Sequence, residues 1–445
     1  METSNSINNS PKVLKKEIGL PEAITIVVGM VIGSGIFFKP SIVFRNAGSP
    51  LLGILAWIAG GIVTMASALT IAEIAAAIPK SGGIFIYLKE LYGEKWAFLF
   101  GWVQTVIYVP GASAALAIIL ATQATNFVPM TSIEQKLFAV FMIIIITTAN
   151  VISTKLGSKI QFVATIAKLI PLIIIVALGL IKGTAHSFSM PLGDMTAGAG
   201  FGAAMLGTLW AYDGWVGVVN IAGELKNPKK DIPKSIILGL TVIMIVYVLF
   251  NLAIIKIVPI TAVIASNKVA SDAATVLFGK SGSLFITAGI LISIFGALNG
   301  YLMTGVRIPF AMAQDKLLPF HGFLGKVNEK YTTPLNAFIF EAILASLYAF
   351  SGSFNKLTDL VIFVLWIFFI MAVAGIFILR TKHKDLDRPY KVPFYPIVPF
   401  IGIIGGIYIL VSTLLTDTTN ALTGLAITLI GLPVYWYITK EKQNN

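Results

Sequence analysis

Val31-Ile32-Gly33-Ser34-Gly35-Ile36-Phe37 falls within the first long apolar run of the chain, and Trp210-Ala211-Tyr212-Asp213-Gly214-Trp215 falls within a later one. Their glycines, with a serine in one and an aspartate in the other, interrupt the helices these runs would otherwise form. Inside hydrocarbon every backbone N–H and C=O needs a partner, so unwound backbone survives there only if buried in protein or facing a polar cavity. A pair of broken helices is the strongest sequence pointer to the binding site of a transporter. If both unwind, the half-helix that starts near Gly35 offers free N–H groups and partial positive charge, which suit a carboxylate. The halves that end near Val31 and Trp210 offer C=O groups and partial negative charge, which suit an ammonium. Together they predict a site for a zwitterion, the backbone of an amino acid, with no charged side chain required. Close helix packing through Gly33 and Gly35 is the competing reading; it explains one break but not two at matching depth.

Five side chains could do chemistry at that depth. Lys168 lies in the apolar run Ala164 to Pro171, where a central charge costs at least ~2.5–3.5 kcal/mol on insertion scales. It either has a partner or a role there, or its long side chain snorkels to water. Asp213 either faces the cavity, where it accepts a proton or a cation, or caps the half-helix after Gly214; the cap is the preferred reading. Trp210 is a candidate lid or a packed core aromatic. Ser293 and Asn299 either reach the cavity and Lys168 or join helices by hydrogen bonds. Glu73, Glu224 and Arg307 are expected at helix ends, as ion pairs of an inner gate or as solvated charges.

The elements that must position these residues are membrane helices. With 445 residues, 57% hydrophobic and 12% charged, the chain has about half the charge of a soluble domain. Windows of roughly 20 apolar residues give twelve candidate spans, from 20–44 to 420–438. The basic residues test the count, because loops on one side of a membrane carry the Lys/Arg excess. Of the 32 basic residues, 22 fall in one alternate set of loops and 8 in the other. Both termini are therefore expected in the cytoplasm, and the net charge of +12 reads as topology rather than as a nucleic-acid surface. Span six starts five helices after span one and crosses in the opposite direction, the arrangement of an inverted repeat. The expected organisation is a tail over 1–17, a first repeat over 18–181, a second over 199–381, two further helices over 393–438 and a tail over 439–445. Residues 81–92 read as a short amphipathic helix on the cytoplasmic face.

Gly33-Ser34-Gly35-Ile36-Phe37, Ala211-Tyr212-Asp213-Gly214-Trp215, the Gly223 to Pro228 run with Pro233 beyond it, and the Arg307 to Asp315 stretch resemble the amino acid–polyamine–organocation transporters. Within that superfamily the chain looks like the L-type amino acid transporter branch, especially its bacterial serine/threonine exchangers. The resemblance covers nearly the whole chain. It implies an all-α, LeuT-like fold of twelve transmembrane helices with a 5+5 inverted repeat, helices one and six unwound, and alternating-access exchange of amino acids. By position it implies that the substrate carboxylate meets the N–H groups of Ser34 and Gly35 beside Gly33. The ammonium would meet carbonyls of Val31, Trp210 and Asp213, with Trp210 closing as an outer gate. It also makes Lys168 resemble a substitute for the sodium ion of related carriers, bridging helices one, five and eight, and so implies sodium independence.

Other function classes fit less well. His186, His321 and His383 all fall in expected loops, so no histidine dyad or metal site can be built in the core, and no catalytic residue, metal or cofactor is expected. A channel would usually show a carbonyl or charged ring motif. Among transport mechanisms, exchange of small neutral L-amino acids such as alanine, serine and threonine leads, and proton-coupled symport through Asp213 and Lys168 is second. Lipid and the substrates are the expected partners, in a cell inner (plasma) membrane. The family's animal members pair with a single-span glycoprotein through a cysteine, and this chain has none.

Overall fold

The computed structural model describes residues 18–444 other than 81, 153, 186–198, 221, 223, 224, 329 and 332, and side chains other than those of 154–163, 165, 166 and 441–444. The tail over 1–17, His186 and Glu224 lie outside the described residues. Within them, regular structure is helical apart from one isolated bridge between Ile18 and Leu225.

The first apolar run forms two helices, α1 (Leu20–Val31) and α2 (Ser34–Ala47), bent by 43° at Ile32 and Gly33. The chain then follows α3 (Pro50–Ala77), α4 (Gly83–Tyr92) and α5 (Glu94–Val103), a π-helical turn (Gln104–Tyr108), and α6 (Val109–Ala124). Ser49 caps α3 by accepting the Leu52 N–H at 3.1 Å, and Pro50 occupies the first helical position, where its missing N–H costs nothing. Pro110 cannot donate to the carbonyl four residues back, so the wider π turn falls just before it. The stranded Val106 carbonyl accepts the Tyr348 hydroxyl at 2.9 Å.

Two long helices follow, α7 (Ser132–Ile152) and α8 (Thr154–Lys182). The second interrupted run forms α9 (Phe201–Ala211) and the single turn α10 (Gly217–Asn220), with non-helical backbone between them. Next come α11 (Pro228–Ile257), the short α12 (Ile260–Ala265) and α13 (Val269–Gly305), which kinks at Gly279 where φ is +69°. The chain ends with α14 (Arg307–Gln314), α15 (His321–Leu324), α16 (Leu335–Ser351), α17 (Phe354–Lys382), α18 (Ile397–Thr416) and α19 (Thr418–Asn444).

Each of the twelve sequence windows overlaps helix among the described residues. Eight helices among the described residues are long and apolar enough to cross a membrane, and α1 with α2 makes a ninth span if the bent pair crosses as one. This is a multi-pass membrane protein. The sixth and ninth windows give shorter apolar helices, α9 and α16, and α9 is short because the chain unwinds after Ala211. The amphipathic segment appears as α4: Ile84, Tyr87, Leu88 and Leu91 are buried while Lys89 and Glu90 are exposed. Its apolar face packs onto α5 and α17.

The two broken runs lie against each other, α2 along α9 and α1 against α10, while α1 also packs along α11 and α8 along α13. That arrangement brings Gly33, Asp213 and Lys168 into one buried region.

Candidate functional site

Each break contributes one glycine to the contact between them. A Cβ on Gly35 would lie 2.4 Å from the Cα of Ala211, so no larger residue fits while the two backbones stay this close. Gly214 has φ of +110°, a region L side chains rarely enter, and a Cβ there would stand 2.9 Å from the Met30 carbonyl oxygen. Gly33 is different, because the nearest atom to its would-be Cβ is the methyl of Ala297 at 3.7 Å. Its φ of −131° is open to other residues, so the sequence needs a bend there more than it needs a glycine.

The polar ends of the half-helices meet at this contact. No side chain caps the N-terminus of α2, so the N–H groups of Ser34 and Gly35 point into the break without a local acceptor from Gly33. At the end of α1, Lys168, fully buried on α8, donates to the carbonyls of Gly29 and Ile32, the latter at 2.7 Å. The Tyr247 hydroxyl on α11 lies 2.9 Å from the Val31 carbonyl and 3.0 Å from the Ala211 carbonyl. A phenol has one proton, so it serves one of the two at a time, and Val31 retains acceptor capacity for a ligand. The Trp210 carbonyl accepts the Asp213 N–H at 3.4 Å.

The buried ammonium answers the choice between snorkelling and a partner. Hydrogen bonds to charged groups contribute about 1.5–3 kcal/mol each, so two of them offset the cost of placing the charge at this depth. Lys168 thus joins α8 to α1; the Ser293 hydroxyl, buried on α13, has no partner among the described residues. Asn299 accepts from Asn150 of α7 at 2.9 Å, the helix-joining alternative.

The Asp213 carboxylate, 6% exposed, accepts from Tyr108 at 2.6 Å and from Tyr301 at 2.9 Å. Besides the adjoining Gly214 N–H, its partners sit on the π turn and on α13, so the side chain faces the space between helices. Trp210 completes the enclosure. Its indole N–H donates to the Ser34 hydroxyl at 3.3 Å, its ring stacks on Tyr301 with centroids 6.3 Å apart, and Phe354 of α17 meets it edge-on at 6.1 Å. Beyond Phe354, the buried Lys39 of α2 bonds Asp359 at 3.0 Å, Thr358 at 2.7 Å and Asn355 at 3.2 Å, using all three ammonium protons.

The expected inner ion pairs are only partly as read. Glu73 is fully buried and receives both Nε and a terminal nitrogen of Arg380, at 3.0 and 2.7 Å, together with the Val392 N–H at 2.7 Å. Arg307 instead donates to the Met303 carbonyl one turn back. Tyr108, Tyr247, Tyr301, Lys39 and Phe354 were not singled out from the sequence. Lys39 carried a signal, a charge four residues beyond Gly35 in an apolar run; the tyrosines are ordinary membrane-helix residues without the packing.

Comparison with known proteins adds to this geometry. A family model described as amino acid permease matches residues 18–436. The chain is 41% identical over 430 residues to the serine/threonine exchanger SteT of Bacillus subtilis (strain 168), covering 96% of this chain and 98% of that one. It is 32% identical over 421 residues to the b(0,+)-type amino acid transporter 1 of Mus musculus, covering 91% and 84%. It is 31% identical over 457 residues to the large neutral amino acids transporter small subunit 2 of Mus musculus, covering 98% and 83%.

Proposed function

We propose, from the premise that this chain belongs to the amino acid permease family, that it is an amino acid transporter, not an enzyme, working as a sodium-independent exchanger of small neutral L-amino acids such as alanine, serine and threonine. The observation that carries the reading is the Gly35–Ala211 contact, which sets the uncapped start of α2 against the carbonyl ends of α1 and α9. A carboxylate would bind the N–H groups of Ser34 and Gly35, assisted by the Ser34 hydroxyl, and an ammonium would bind the carbonyls of Val31, Trp210 and Asp213. All three amino acids share that zwitterion, so side-chain choice falls to the walls around it.

Lys168 takes the place of a coupling cation: its charge is held by the same kind of backbone carbonyls that would ligate sodium, so no ion is needed to close that corner. Twelve spans, the repeat of spans one to five in spans six to ten and cytoplasmic termini complete the expected frame. The outer cover of Trp210, Phe354 and Lys39 is buried, whereas Tyr108 and Tyr301 are only partly so. This favours a site reached from the side of the termini in the present state. With no cysteine in the chain, a disulfide-linked partner is excluded.

The test is uptake of radiolabelled serine into proteoliposomes, with and without internal amino acid and with sodium and pH varied separately. Exchange should require internal amino acid and ignore sodium. Proton symport is the second reading, favoured by the buried carboxylate of Asp213 at the site. Strong uptake into empty vesicles driven only by external acid would select it.

A further inference from the structure

Asp213 places a carboxylate at the meeting point of the two breaks, yet the two side chains that bond it are neutral phenols. A carboxylate can accept about four hydrogen bonds, and a buried one attracts any cation that can reach it. Tyr301 stands in the way. Its hydroxyl lies 2.9 Å from Asp213 Oδ2, and its ring is held by stacking at 16° to the Trp210 indole. One turn earlier on α13, Ala297 approaches Gly33, so this helix face lines the region where the substrate's Cα would lie. The Tyr108 hydroxyl bonds the same oxygen at 2.6 Å and lies 3.5 Å from that of Tyr301.

We propose that Tyr301 is a specificity-determining residue: it occupies the approach to Asp213 and so excludes amino acids with a cationic side chain, leaving room for small neutral ones. The proposal rests on the amino acid exchange reading and names the side-chain selection that the shared zwitterion site cannot supply. A lysine or arginine side chain pairing with Asp213 would compete with the phenol for Oδ2, and the phenol's stacking on Trp210 also ties it to the Ser34 hydroxyl. A small side chain ends short of the phenol and leaves the cluster intact. Truncating Tyr301 would remove the obstacle and keep the charge.

The experiment compares radiolabelled L-lysine and L-serine exchange in proteoliposomes for the wild-type chain, Tyr301→Ala, Tyr301→Phe and the double variant Tyr301→Ala with Asp213→Asn. The wild type should prefer serine strongly. Tyr301→Ala should raise the lysine-to-serine ratio at least tenfold, Tyr301→Phe, which keeps the ring, should not, and Asp213→Asn should cancel the gain. If Tyr301→Ala does not fold, Tyr301→Ser takes its place, read by thermal stabilisation of the purified protein with added lysine. Serine exchange by Tyr301→Ala without lysine entry would overturn the proposal, as would wild-type exchange of lysine at the rate of serine. Lysine entry that survives Asp213→Asn would overturn the carboxylate's part. A wild-type chain that exchanges no amino acid would reject the transport reading, a result distinguishable from all of these.

Discussion

The ammonium of Lys168 lies 2.7 Å from the carbonyl oxygen of Ile32, at the point where the first membrane run unwinds. It also bonds the Gly29 carbonyl, so one side chain holds the last turn of α1 from a different helix. Lys168→Met keeps much of the volume and removes the donor, leaving two buried carbonyls unpaired at about 1–3 kcal/mol each. Exchange is expected to fall at least tenfold while most of the protein still folds, as read by proteoliposome exchange and size-exclusion profile. Wild-type rates in the variant would show that the contact is not part of the machinery.

The two glycines of the first break should differ in tolerance. Gly35→Ala puts a methyl carbon 2.4 Å from the Ala211 Cα, and relief requires the two broken runs to move apart. Gly33→Ala meets nothing closer than 3.7 Å, at a φ that alanine accepts. Gly35→Ala should therefore abolish serine binding and lower the melting temperature, and Gly33→Ala should bind within a few-fold of wild type. Isothermal titration on purified protein decides it, and equal behaviour of the two would contradict the close approach.

Much of this was legible because it is written in patterns that do not depend on packing. Helix breaks at Gly33 and Asp213 and a charge at Lys168 are local signals, and the structure has both breaks and buries that lysine. The direction in which side chains point was less readable. Asp213 read as a cap because aspartate beside a helix start usually is one; its turn toward Tyr108 and Tyr301 depends on α6 and α13 arriving from far along the sequence. Tyr247, which serves both broken ends, sits in an unremarkable apolar helix. Arg307 read either as an ion pair or as a solvated charge; it is exposed and donates to the Met303 carbonyl, which suits the second.

Tyr247→Phe removes one oxygen and tests whether the two breaks are held as a unit. Without it the Val31 and Ala211 carbonyls lose the one donor they share. The expected result is a melting temperature lower by a few degrees and a raised KM for serine, since the ammonium would then bind carbonyls that are no longer held in position. An unchanged KM with lowered stability would restrict Tyr247 to packing.

Glu341 offers a prediction of opposite sign. It is fully buried on α16, and neither carboxyl oxygen has a hydrogen-bond partner among the described residues. A buried polar group left unpaired is costly, and an apolar residue of similar volume removes that cost. Glu341→Leu should raise the melting temperature without changing serine exchange at constant pH. A loss of exchange in a stable protein would assign the carboxyl a function.

The outer cover can be opened by one substitution. Lys39 is fully buried and its partner Asp359 is a quarter exposed, at 3.0 Å, so the pair is shielded enough to matter. Removing one partner of a buried pair can cost about 3–5 kcal/mol, and partial exposure of Asp359 reduces that here. The same lysine lies 5.3 Å from the Phe354 ring centroid, and Phe354 meets Trp210. Loss of the pair should therefore loosen α17 over the site. The chain has no cysteine, so Ser34→Cys gives a single thiol beneath Trp210. In the otherwise native chain it should react slowly with an impermeant thiol reagent applied from the outer side. Adding Lys39→Met should speed the reaction several-fold, and adding Asp359→Asn should do the same. If both rates stay at the native value, the pair braces the helices and does not govern access.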